Sequence, residues 1–539
     1  MKYLLLLIVF APLLLSAQCD KGTIIASNDI GIVETESGKV RGYIEDGIYT
    51  YKGIPYAYAE RFMKPGPAKP WEDVRFMGYY GATAPLDLEA IKARGNGAGM
   101  FAMKNDWGYP HEDCQSLNIW TPNINDNKKR PVIFWIHGGG YEYGSSHELP
   151  FYDGKNLSKK GDVVYVSVNH RLNILGFLDL SQYGEKYKYS ANVGLLDLVA
   201  SLKWVKNSIA NFGGDPDNIT VFGQSGGGGK ITALLNSPVA DGLFQQAIVM
   251  SGSFAQQYQT PKMAQKVSSK VLKELDIKES KVDEIQKVPY DVLLRAGKRA
   301  LAAIAEEAKA KGEAFPRLGW GPVADDYFLP YPMFGKEVLK QVDDVNIIIG
   351  TTKTEFAVMA AMMTGEDMEA TKSALKMRYK DKADTYMEAV RKAYPDTKKA
   401  SDYMAIDLMF RPGAIRDANK LVKGGHKNTY MYVFTWESPI NDGGFKSMHC
   451  MELPFVFNNI ELGREMTGGG EEAYKLADIV SGAWINFARF GNPSAKGLPT
   501  WPKYTKEGAT MILDVDSEVK YHFDKELMEI AMPDLMSSY

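Results

Sequence analysis

The feature that most constrains this chain is a strand-like apolar run that stops at a serine between glycines. Residues 219–222 read ITVF, and residues 223–227 continue as GQSGG. A serine at the tip of a sharp turn from strand to helix sits in strained backbone, and the flanking glycines let the two elements pass closely. Its hydroxyl then points into a cleft, while the N–H of Gly226 faces the position where an attacked carbonyl becomes an oxyanion. The pattern predicts Ser225 as a nucleophile in acyl transfer.

Two other interpretations of this glycine-rich segment are a flexible linker and a phosphate-binding loop. Short Gly-x-Ser-x-Gly patterns occur by chance in linkers, but here a strand precedes the serine, and residues 230–235, KITALL, are typical of a helix. A phosphate-binding loop has Ser or Thr after its Gly-Lys pair, whereas Lys230 is followed by Ile231. Both alternatives are therefore weaker than the nucleophile.

A second glycine-rich segment lies upstream and also follows a strand-like run. Residues 132–136 read VIFWI, and residues 137–144 read HGGGYEYG. Esterases and lipases use such a loop because several backbone N–H groups must converge on one oxygen, and side chains would hold the backbone too far away. Gly139 and Gly140 are the candidate donors, together with Gly226. An ordinary glycine turn is the alternative, and the serine motif on the same chain weakens it.

A nucleophilic serine needs a histidine base and a carboxylate that orients it, in the chain order Ser, acid, His. Among the downstream histidines, His426 lies in a polar loop and His522 in the charged C-terminal region. His449 instead opens an apolar segment after a strand-like run, so we predict it as the base. Glu355 follows the strand-like residues 345–350 and precedes His449 in sequence. Chain order alone leaves Glu355 a weak candidate, because an isolated loop glutamate is usually only solvated.

Further short motifs are distributed along most of the chain. They are GIPYA at 53–57, EDCQSLNIWTP at 112–122, NHRL at 169–172, NVGLLD at 192–197, FGGDP at 212–216, GPVAD at 321–325 and WP at 501–502. Together they resemble the signatures of the type B carboxylesterase family, the cholinesterase-like branch of the α/β-hydrolases. The resemblance implies the α/β-hydrolase fold and ester hydrolysis with neither a metal nor an organic cofactor. It places the family's nucleophile, acid, base and three oxyanion-hole donors on Ser225, Glu355, His449, Gly139, Gly140 and Gly226.

Strand-like and helix-like stretches alternate along the chain. Residues 163–168 and 246–251 are examples of such strands, and the alternation predicts a mostly parallel central sheet flanked by helices, an α/β fold. No repeat or low-complexity linker divides the chain. We therefore predict a single α/β-hydrolase domain over residues 18–539.

Two segments, 254–320 and 356–422, are helical in pattern and charged. We expect them to be helical insertions over the active-site cleft. The second segment contains Met359, Met362 and Met363. These methionines either line an adaptable apolar acyl pocket or serve as ordinary core packing.

Three positions depart from the family pattern. Gln224 stands where the family usually has an acidic residue, which removes a negative charge beside the base, so the base should hold its proton less tightly. The tryptophan of choline-binding members would fall near Lys104, with Trp107 displaced, so we expect uncharged esters rather than choline esters as substrates. Cys114 matches a family half-cystine, but residues 81–85, GATAP, hold no partner cysteine. We expect no disulfide there.

The composition is that of a soluble enzyme rather than a nucleic-acid-binding protein. The chain has 539 residues, 45% hydrophobic and 24% charged, which is enough for a substantial core. Its formal net charge of -3 gives no reason to expect nucleic acid or anionic membranes as partners. The 3 cysteines show no disulfide framework. A turn explains Asp215 and Asp217 better than calcium binding does, so we expect no metal.

The N-terminus has the composition of an export signal. A positive charge near the start is followed by residues 4–15, an apolar run that is short for a membrane span, and a cleavage site ends at Ala17. We expect residues 1–17 to be a signal peptide and the protein to be exported to the periplasm or the extracellular space. A lipoprotein anchored at Cys19 is the alternative, but Gln18 is larger than the residue normally found before a lipidated cysteine.

The sequence therefore predicts an exported serine esterase that acts on small, uncharged carboxylic esters. One alternative is a catalytically idle binding or adhesion module of the same fold, which the presence of Ser225, Glu355 and His449 argues against. The other keeps the chemistry but takes long-chain lipid or aryl esters as substrates. The motifs do not choose among these ester classes.

Overall fold

The computed structural model describes residues 22–87, 89, 105–254, 258–312 and 319–536. The predicted signal peptide at 1–17, Cys19 and Lys104 lie outside the described residues. Within the described residues, no helix combines the length and the apolar composition that a membrane span requires.

The strands build one large sheet and two small ones. The strands of the described residues are β1 Ile24–Ile25, β2 Ile32–Thr35, β3 Gly38–Arg41, β4 Tyr43–Glu45, β5 Ile48–Pro55, β6 Ala57–Tyr58, β7 Gly66–Pro67, β8 Arg75–Phe76, β9 Ser116–Thr121, β10 Arg130–Ile136, β11 Val164–Val168, β12 Gly214–Gln224, β13 Gln246–Met250, β14 Asn346–Thr352, β15 Thr429–Phe434, β16 Ala509–Leu513 and β17 Glu518–Tyr521. The large sheet has 12 strands in the order β1-β4-β5-β9-β11-β10-β12-β13-β14-β15-β16-β17. The small sheets are β2-β3-β8 and β6-β7.

The centre of the large sheet is parallel and its two sides are antiparallel. Neighbouring strands run parallel from β11 through β10, β12, β13, β14 and β15 to β16. β9 pairs antiparallel with β11 on one side, and β17 pairs antiparallel with β16 on the other. The predicted mostly parallel sheet is confirmed, with antiparallel strands added at its sides.

Both faces of the central strands are buried, which explains their nearly continuous apolar sequences. On β10, Val132, Phe134 and Ile136 belong to one core cluster. Ile133 and Trp135 alternate with them and belong to a second core cluster. All five side chains are at most 1% exposed, as expected for a strand covered on both faces.

Helices cover the sheet on both faces and also form the two insertions. The α-helices of the described residues are Lys155–Gly161, Asn173–Phe177, Val193–Ser208, Gly226–Leu235, Pro261–Glu274, Tyr290–Ala310, Lys336–Gln341, Val358–Thr364, Met368–Tyr379, Ala383–Ala393, Arg411–Lys423, Leu453–Val456, Arg464–Thr467, Glu471–Phe490, Lys525–Ala531 and Pro533–Met536. Val193–Ser208 contributes to the first core cluster, and Glu471–Phe490 contributes to the second. The helical pattern predicted for the two insertions is therefore present.

The order of the strands creates a crevice at their carboxyl ends. β10 lies between β11 and β12 in the sheet. The chain therefore runs from β10 to its neighbour on one side, β11, and then crosses to its neighbour on the other side, β12. Open α/β sheets bind ligands at such a point. The register pairs Ile136, the last residue of β10, with Gly223 near the end of β12. The two glycine-rich segments identified in the sequence therefore emerge side by side.

Three of the methionines in the second insertion, those singled out in the sequence, are exposed. Met359, Met362 and Met363 are 42%, 41% and 88% exposed. From this part of the insertion, Ala357 and Ala360 line the cavity above the crevice, and two other methionines of the insertion, Met404 and Met409, line it as well. Neither interpretation of these methionines, pocket lining or core packing, agrees with the structure, because the apolar pattern of a helix does not say which of its faces is covered.

Candidate active site

Ser225 occupies the strand-to-helix turn that the sequence predicts. It lies between β12, which ends at Gln224, and the helix Gly226–Leu235, which we call the elbow helix. Its φ of 57° and ψ of -123° are strained for a residue other than glycine. The backbone N–H of Ser225 donates to the carbonyl oxygen of Met250 at 2.8 Å, which holds the turn against β13.

The glycines around the serine are required because the elbow helix touches other backbone segments. A Cβ atom at Gly223 would lie 2.7 Å from the carbonyl oxygen of Ile136, and a Cβ atom at Gly227 would lie 2.0 Å from the same oxygen. A Cβ atom at Gly226 would lie 2.1 Å from the carbonyl oxygen of Gly140. The elbow therefore packs backbone against backbone with β10 and with the upstream glycine segment.

The upstream segment, residues 137–144, forms a loop against the elbow, and we call it the glycine loop. Gly139 and Gly140 have φ values of 80° and 65°, in the left-handed region that favours glycine. Among the described residues, no group accepts a hydrogen bond from the backbone N–H of Gly139 or Gly140. Gly226 opens the elbow helix, where the first N–H groups have no partner within the helix. All three N–H groups are therefore available as hydrogen-bond donors.

Glu355 is completely buried and held in one orientation. One carboxylate oxygen, Oε1, accepts hydrogen bonds from Ser251 Oγ at 2.5 Å and from the backbone N–H of Thr352 at 2.8 Å. The backbone N–H of Glu355 donates to the carbonyl oxygen of Ser447 at 3.2 Å. These contacts leave the other oxygen, Oε2, to accept a hydrogen bond from Nδ1 of His449.

His449 is 3% exposed, and aromatic rings fix its plane. The Phe356 ring lies 4.2 Å from the imidazole at an angle of 34°, and the Phe410 ring stacks at 5.2 Å and 6°. Because Nδ1 donates to Glu355, Nε2 is the ring nitrogen that can accept a proton. The structure thus brings the predicted acid and base into contact, beside the elbow that carries Ser225.

Gln224, the residue before the serine, lies over the face of the His449 ring. Its amide nitrogen is 3.2 Å from Nδ1 and 3.3 Å from Nε2. Cε1 lies between the two nitrogens, so a donor in the plane of the ring would collide with Cε1 at these distances. The amide therefore lies over the face of the imidazole. The Gln224 oxygen accepts a hydrogen bond from the Cys450 thiol at 3.1 Å. The group beside the base is therefore a neutral amide in a fixed position.

Two further carboxyl groups lie near Glu355, and sequence reasoning missed both. Asp407 is 3% exposed and accepts a hydrogen bond from the backbone N–H of Arg411 at 2.7 Å. Burial and then the charge of Glu355 raise the pKa of Asp407 to about 8. Glu452 is 1% exposed, its carboxyl oxygens have no hydrogen-bond partner within the described part of the chain, and the same two causes hold its pKa well above the usual range. Burial therefore favours the protonated form of both carboxyl groups.

A cavity of about 850 Å³ includes Ser225 in its wall. Its other walls come from the glycine loop and from both helical insertions, so the insertions do cover the cleft. The aromatic lining residues are Tyr141, Tyr143, Phe254, Tyr258, Trp320, Phe356, Tyr379, Tyr386, Tyr403 and Phe410. Trp107 is not among the described residues that line the cavity. Aromatic residues thus make up ten of the 27 residues that line the cavity.

Comparisons with known sequences agree on one family. The sequence profile of the carboxylesterase family matches residues 29–531. The chain is 35% identical over 509 residues to a para-nitrobenzyl esterase of Bacillus subtilis (strain 168), which covers 92% of this chain and 96% of that protein. It is 31% identical over 518 residues to a phenmedipham hydrolase of Pseudarthrobacter oxydans, which covers 94% of this chain and 98% of that protein.

A solved structure shows the same architecture. It is that of an esterase from anaerobic Clostridium hathewayi that can hydrolyze aliphatic aromatic polyesters, and it matches with a TM-score of 0.84 at 37% identity. The match covers 95% of this chain and 99% of that one. The profile, the sequence relatives and the solved structure agree over nearly the full length of the chain. The chain therefore belongs to the carboxylesterase family of the α/β-hydrolases, and it is a carboxylic ester hydrolase.

Proposed function

We propose that the protein hydrolyses uncharged carboxylic esters through an acyl-enzyme on Ser225, with His449 as general base and Glu355 as its orienting acid. The observation that carries the proposal is the hydrogen bond from His449 Nδ1 to Glu355, formed beside the elbow that presents Ser225. A carboxylate on Nδ1 selects the imidazole tautomer whose Nε2 can take a proton, and it stabilises the imidazolium that results.

The first half of the reaction transfers the acyl group to the serine. Nε2 of His449 takes the hydroxyl proton while Ser225 Oγ bonds to the ester carbonyl carbon. The carbonyl oxygen becomes an oxyanion, and the N–H groups of Gly139, Gly140 and Gly226 donate to it. Collapse of the tetrahedral intermediate breaks the bond to the alcohol oxygen, and the imidazolium returns its proton to the leaving alcohol.

The second half restores the enzyme. His449 takes a proton from water while the water oxygen attacks the acyl carbon, and the same N–H groups receive the second oxyanion. Ser225 Oγ then leaves and recovers the proton from His449, which releases the carboxylic acid. Removal of one oxyanion donor typically lowers kcat by about 100- to 1,000-fold, so the glycine backbone contributes a large part of the expected acceleration.

The cavity supports an uncharged substrate that carries an aromatic group. Ten of its 27 lining residues are aromatic, and Gln224 offers the site an amide rather than a carboxylate. Two relatives point the same way, because one is a para-nitrobenzyl esterase and the other can hydrolyze aliphatic aromatic polyesters. We therefore place aryl-containing esters ahead of simple alkyl and long-chain lipid esters.

We also propose that the protein is exported after cleavage behind Ala17. The support is the positively charged start and the short apolar run at residues 4–15. Mass spectrometry of the mature protein from its natural host is the test. A mature N-terminus at Gln18 would agree with the proposal, whereas a lipidated N-terminus at Cys19 would replace it with membrane anchoring.

The test of the catalytic proposal is hydrolysis of a short-chain p-nitrophenyl ester by purified wild type and by Ser225→Ala. Wild type should turn over the ester and be labelled covalently by an organophosphate, and the variant should do neither at a measurable rate. Ser190→Ala is a suitable control because Ser190 is also buried but lies outside the site. Retained turnover by folded Ser225→Ala would overturn the assignment of the nucleophile.

A further inference from the structure

Lys230 is a buried amine in the elbow helix that the proposed reaction does not use. Its side chain has 0% exposure, and its Nζ donates a hydrogen bond to the carbonyl oxygen of His137 at 3.1 Å. Within the described residues, this side chain makes no other hydrogen bond. A buried amine is costly unless a hydrogen bond compensates it, so the contact to His137 is the main interaction available at this position.

His137 is the first residue of the glycine loop. Its carbonyl accepts the hydrogen bond from Lys230, and its ring makes a second hydrogen bond within the loop. Nδ1 lies 3.0 Å from the carbonyl oxygen of Gly138, and since a carbonyl only accepts, Nδ1 must donate. That carbonyl belongs to the same peptide unit as the N–H of Gly139, and the two groups point in opposite directions. A donor that holds the Gly138 oxygen therefore also fixes the direction of the Gly139 N–H on the other side of that peptide unit.

Lys230 can keep its hydrogen bond to His137 whether its amine is charged or neutral. Burial lowers the pKa of Lys230 to about 7, and the carboxyl of Glu148 opposes that shift. Burial raises the pKa of Glu148 to about 8. Burial also holds the pKa values of His137 and His170 well below their usual range, so both imidazoles stay neutral. The amine loses charge near neutral pH but retains N–H donors for the His137 carbonyl.

We propose that Lys230 is a positioning residue for the oxyanion site: it ties the glycine loop to the elbow helix. This proposal rests on the proposed function, because it takes Gly139, Gly140 and Gly226 as the oxyanion donors. Two of those donors belong to the loop and the third belongs to the helix. The hydrogen bond from Lys230 to His137 joins these two elements.

The test compares wild type with Lys230→Met, which keeps a similar length without a donor, and with Lys230→Arg, which keeps N–H donors. Thr232→Val is the matched control, because Thr232 is 3% exposed on the same helix and its hydroxyl donates only to Gly228 within that helix, at 3.1 Å. Active sites are counted by complete labelling with a fluorescent phosphonate, so misfolded molecules do not enter the rate constants. The affinity for a trifluoromethyl ketone, which forms a tetrahedral oxyanion on the serine, is measured beside kcat and KM.

We expect Lys230→Met to lower kcat per labelled site by about 10- to 100-fold, with little change in KM. The affinity for the ketone should fall by a similar factor, Lys230→Arg should lose less, and Thr232→Val should stay within about twofold of wild type. A Lys230→Met enzyme with fewer labelled sites but wild-type kcat and ketone affinity per site would show a merely structural role and overturn the proposal.

Two arrangements keep this test decisive. If Lys230→Met does not fold, Lys230→Gln is measured instead, since its shorter side chain reaches His137 less well and the same loss of kcat and ketone affinity is expected. Ser225→Ala separates the two proposals. Retained activity in Ser225→Ala would overturn the proposed function itself, whereas an inactive Ser225→Ala beside a fully active Lys230 variant would overturn only the role of Lys230.

Discussion

The floor and the roof of the cavity are built from different kinds of contact. The floor, formed by the ends of β10 and β12, the glycine loop and the elbow helix, packs backbone against backbone, and a Cβ at Gly227 would lie 2.0 Å from a carbonyl oxygen. The roof is formed by helices whose side chains face the cavity on one side and solvent on the other, as the 88% exposure of Met363 shows. The floor therefore fixes the chemistry and has no room for a Cβ atom at Gly223, Gly226 or Gly227, whereas the roof can change side chains and with them the substrate.

Among changes outside Ser225, Glu355 and His449, an alanine at Gly227 should be the most damaging and would test the rigidity of the floor. Its Cβ must push the elbow helix away from the carbonyl of Ile136, and the N–H of Gly226 moves with the helix. We expect kcat per labelled site to fall at least about 100-fold, with a lower Tm. Gly470→Ala is the control, because that Cβ would meet open space at an ordinary φ of -77°. Near-normal kcat in Gly227→Ala would show that the elbow helix can shift without loss of catalysis.

A carboxylate at Gln224 should produce the next largest effect and would test the electrostatics of the floor. Glu at this position would lie over the His449 ring and favour its protonated form, so the free base would exist only at higher pH. We expect the acid limb of the kcat/KM profile for Gln224→Glu to move up by about one pH unit, which is about tenfold lower activity on that limb. Gln182→Glu, at an exposed position, should leave the profile unchanged. An unchanged profile in Gln224→Glu would refute the charge argument.

A roof substitution should alter substrate preference and spare the chemistry. Tyr379 lines the cavity and stacks on Tyr386, with ring centroids 4.3 Å apart at 19°. Tyr379→Ala removes an aromatic contact, so we expect KM for aryl esters to rise by about two- to tenfold while kcat stays within twofold. A series of p-nitrophenyl and alkyl esters measures the change, and Phe490→Ala, 71% exposed and not among the cavity-lining residues, is the control. A loss confined to kcat would mean that the roof also positions the reacting groups.

The smallest effect is expected at Glu452, near Glu355, and the quantity that changes there is the thermal stability. Its folded pKa lies above the unfolded value of 4.5, so the fold favours the protonated form. The resulting penalty is absent below pH 4.5 and grows as pH rises toward the folded pKa. Glu452→Gln removes the charge that must otherwise be buried, and we expect its Tm to exceed that of wild type by about 1 to 2 °C at pH 9 and to match it at pH 4.5. Thermal unfolding followed by circular dichroism at both pH values is the measurement, and an equal Tm at pH 9 would mean that Glu452 has a partner in solution.

The elbow and the glycine loop could be predicted from the sequence because their geometry depends on residues that are neighbours in the chain. A serine between glycines after a strand has few conformations, and the structure gives it the strained φ of 57°. Glu355 and His449 are different, since they are 94 residues apart and meet only when β14 and β15 lie side by side. Chain order left Glu355 a weak candidate, and the family resemblance was needed to single it out.

Groups whose role depends on burial could not be found in the sequence. Asp407 did carry a local signal, because aspartates commonly accept hydrogen bonds from backbone N–H groups a few residues further along, as Asp407 does from Arg411. Nothing around Glu452 or Lys230 distinguishes them from surface residues, yet both are buried. The prediction that Met359, Met362 and Met363 are covered was wrong for the opposite reason. An apolar side chain on a helix does not reveal whether another element covers it.

The wide spacing of the catalytic groups along the chain also determines when activity can arise during synthesis. The elbow lies before the middle of the polypeptide, whereas His449 follows β15 and is anchored by residues that the ribosome adds late. In the proposed mechanism, a nascent chain that has completed the elbow therefore carries a serine with no base, and it should not cleave esters. Premature termination anywhere before His449 should yield an inert product rather than a partially active one.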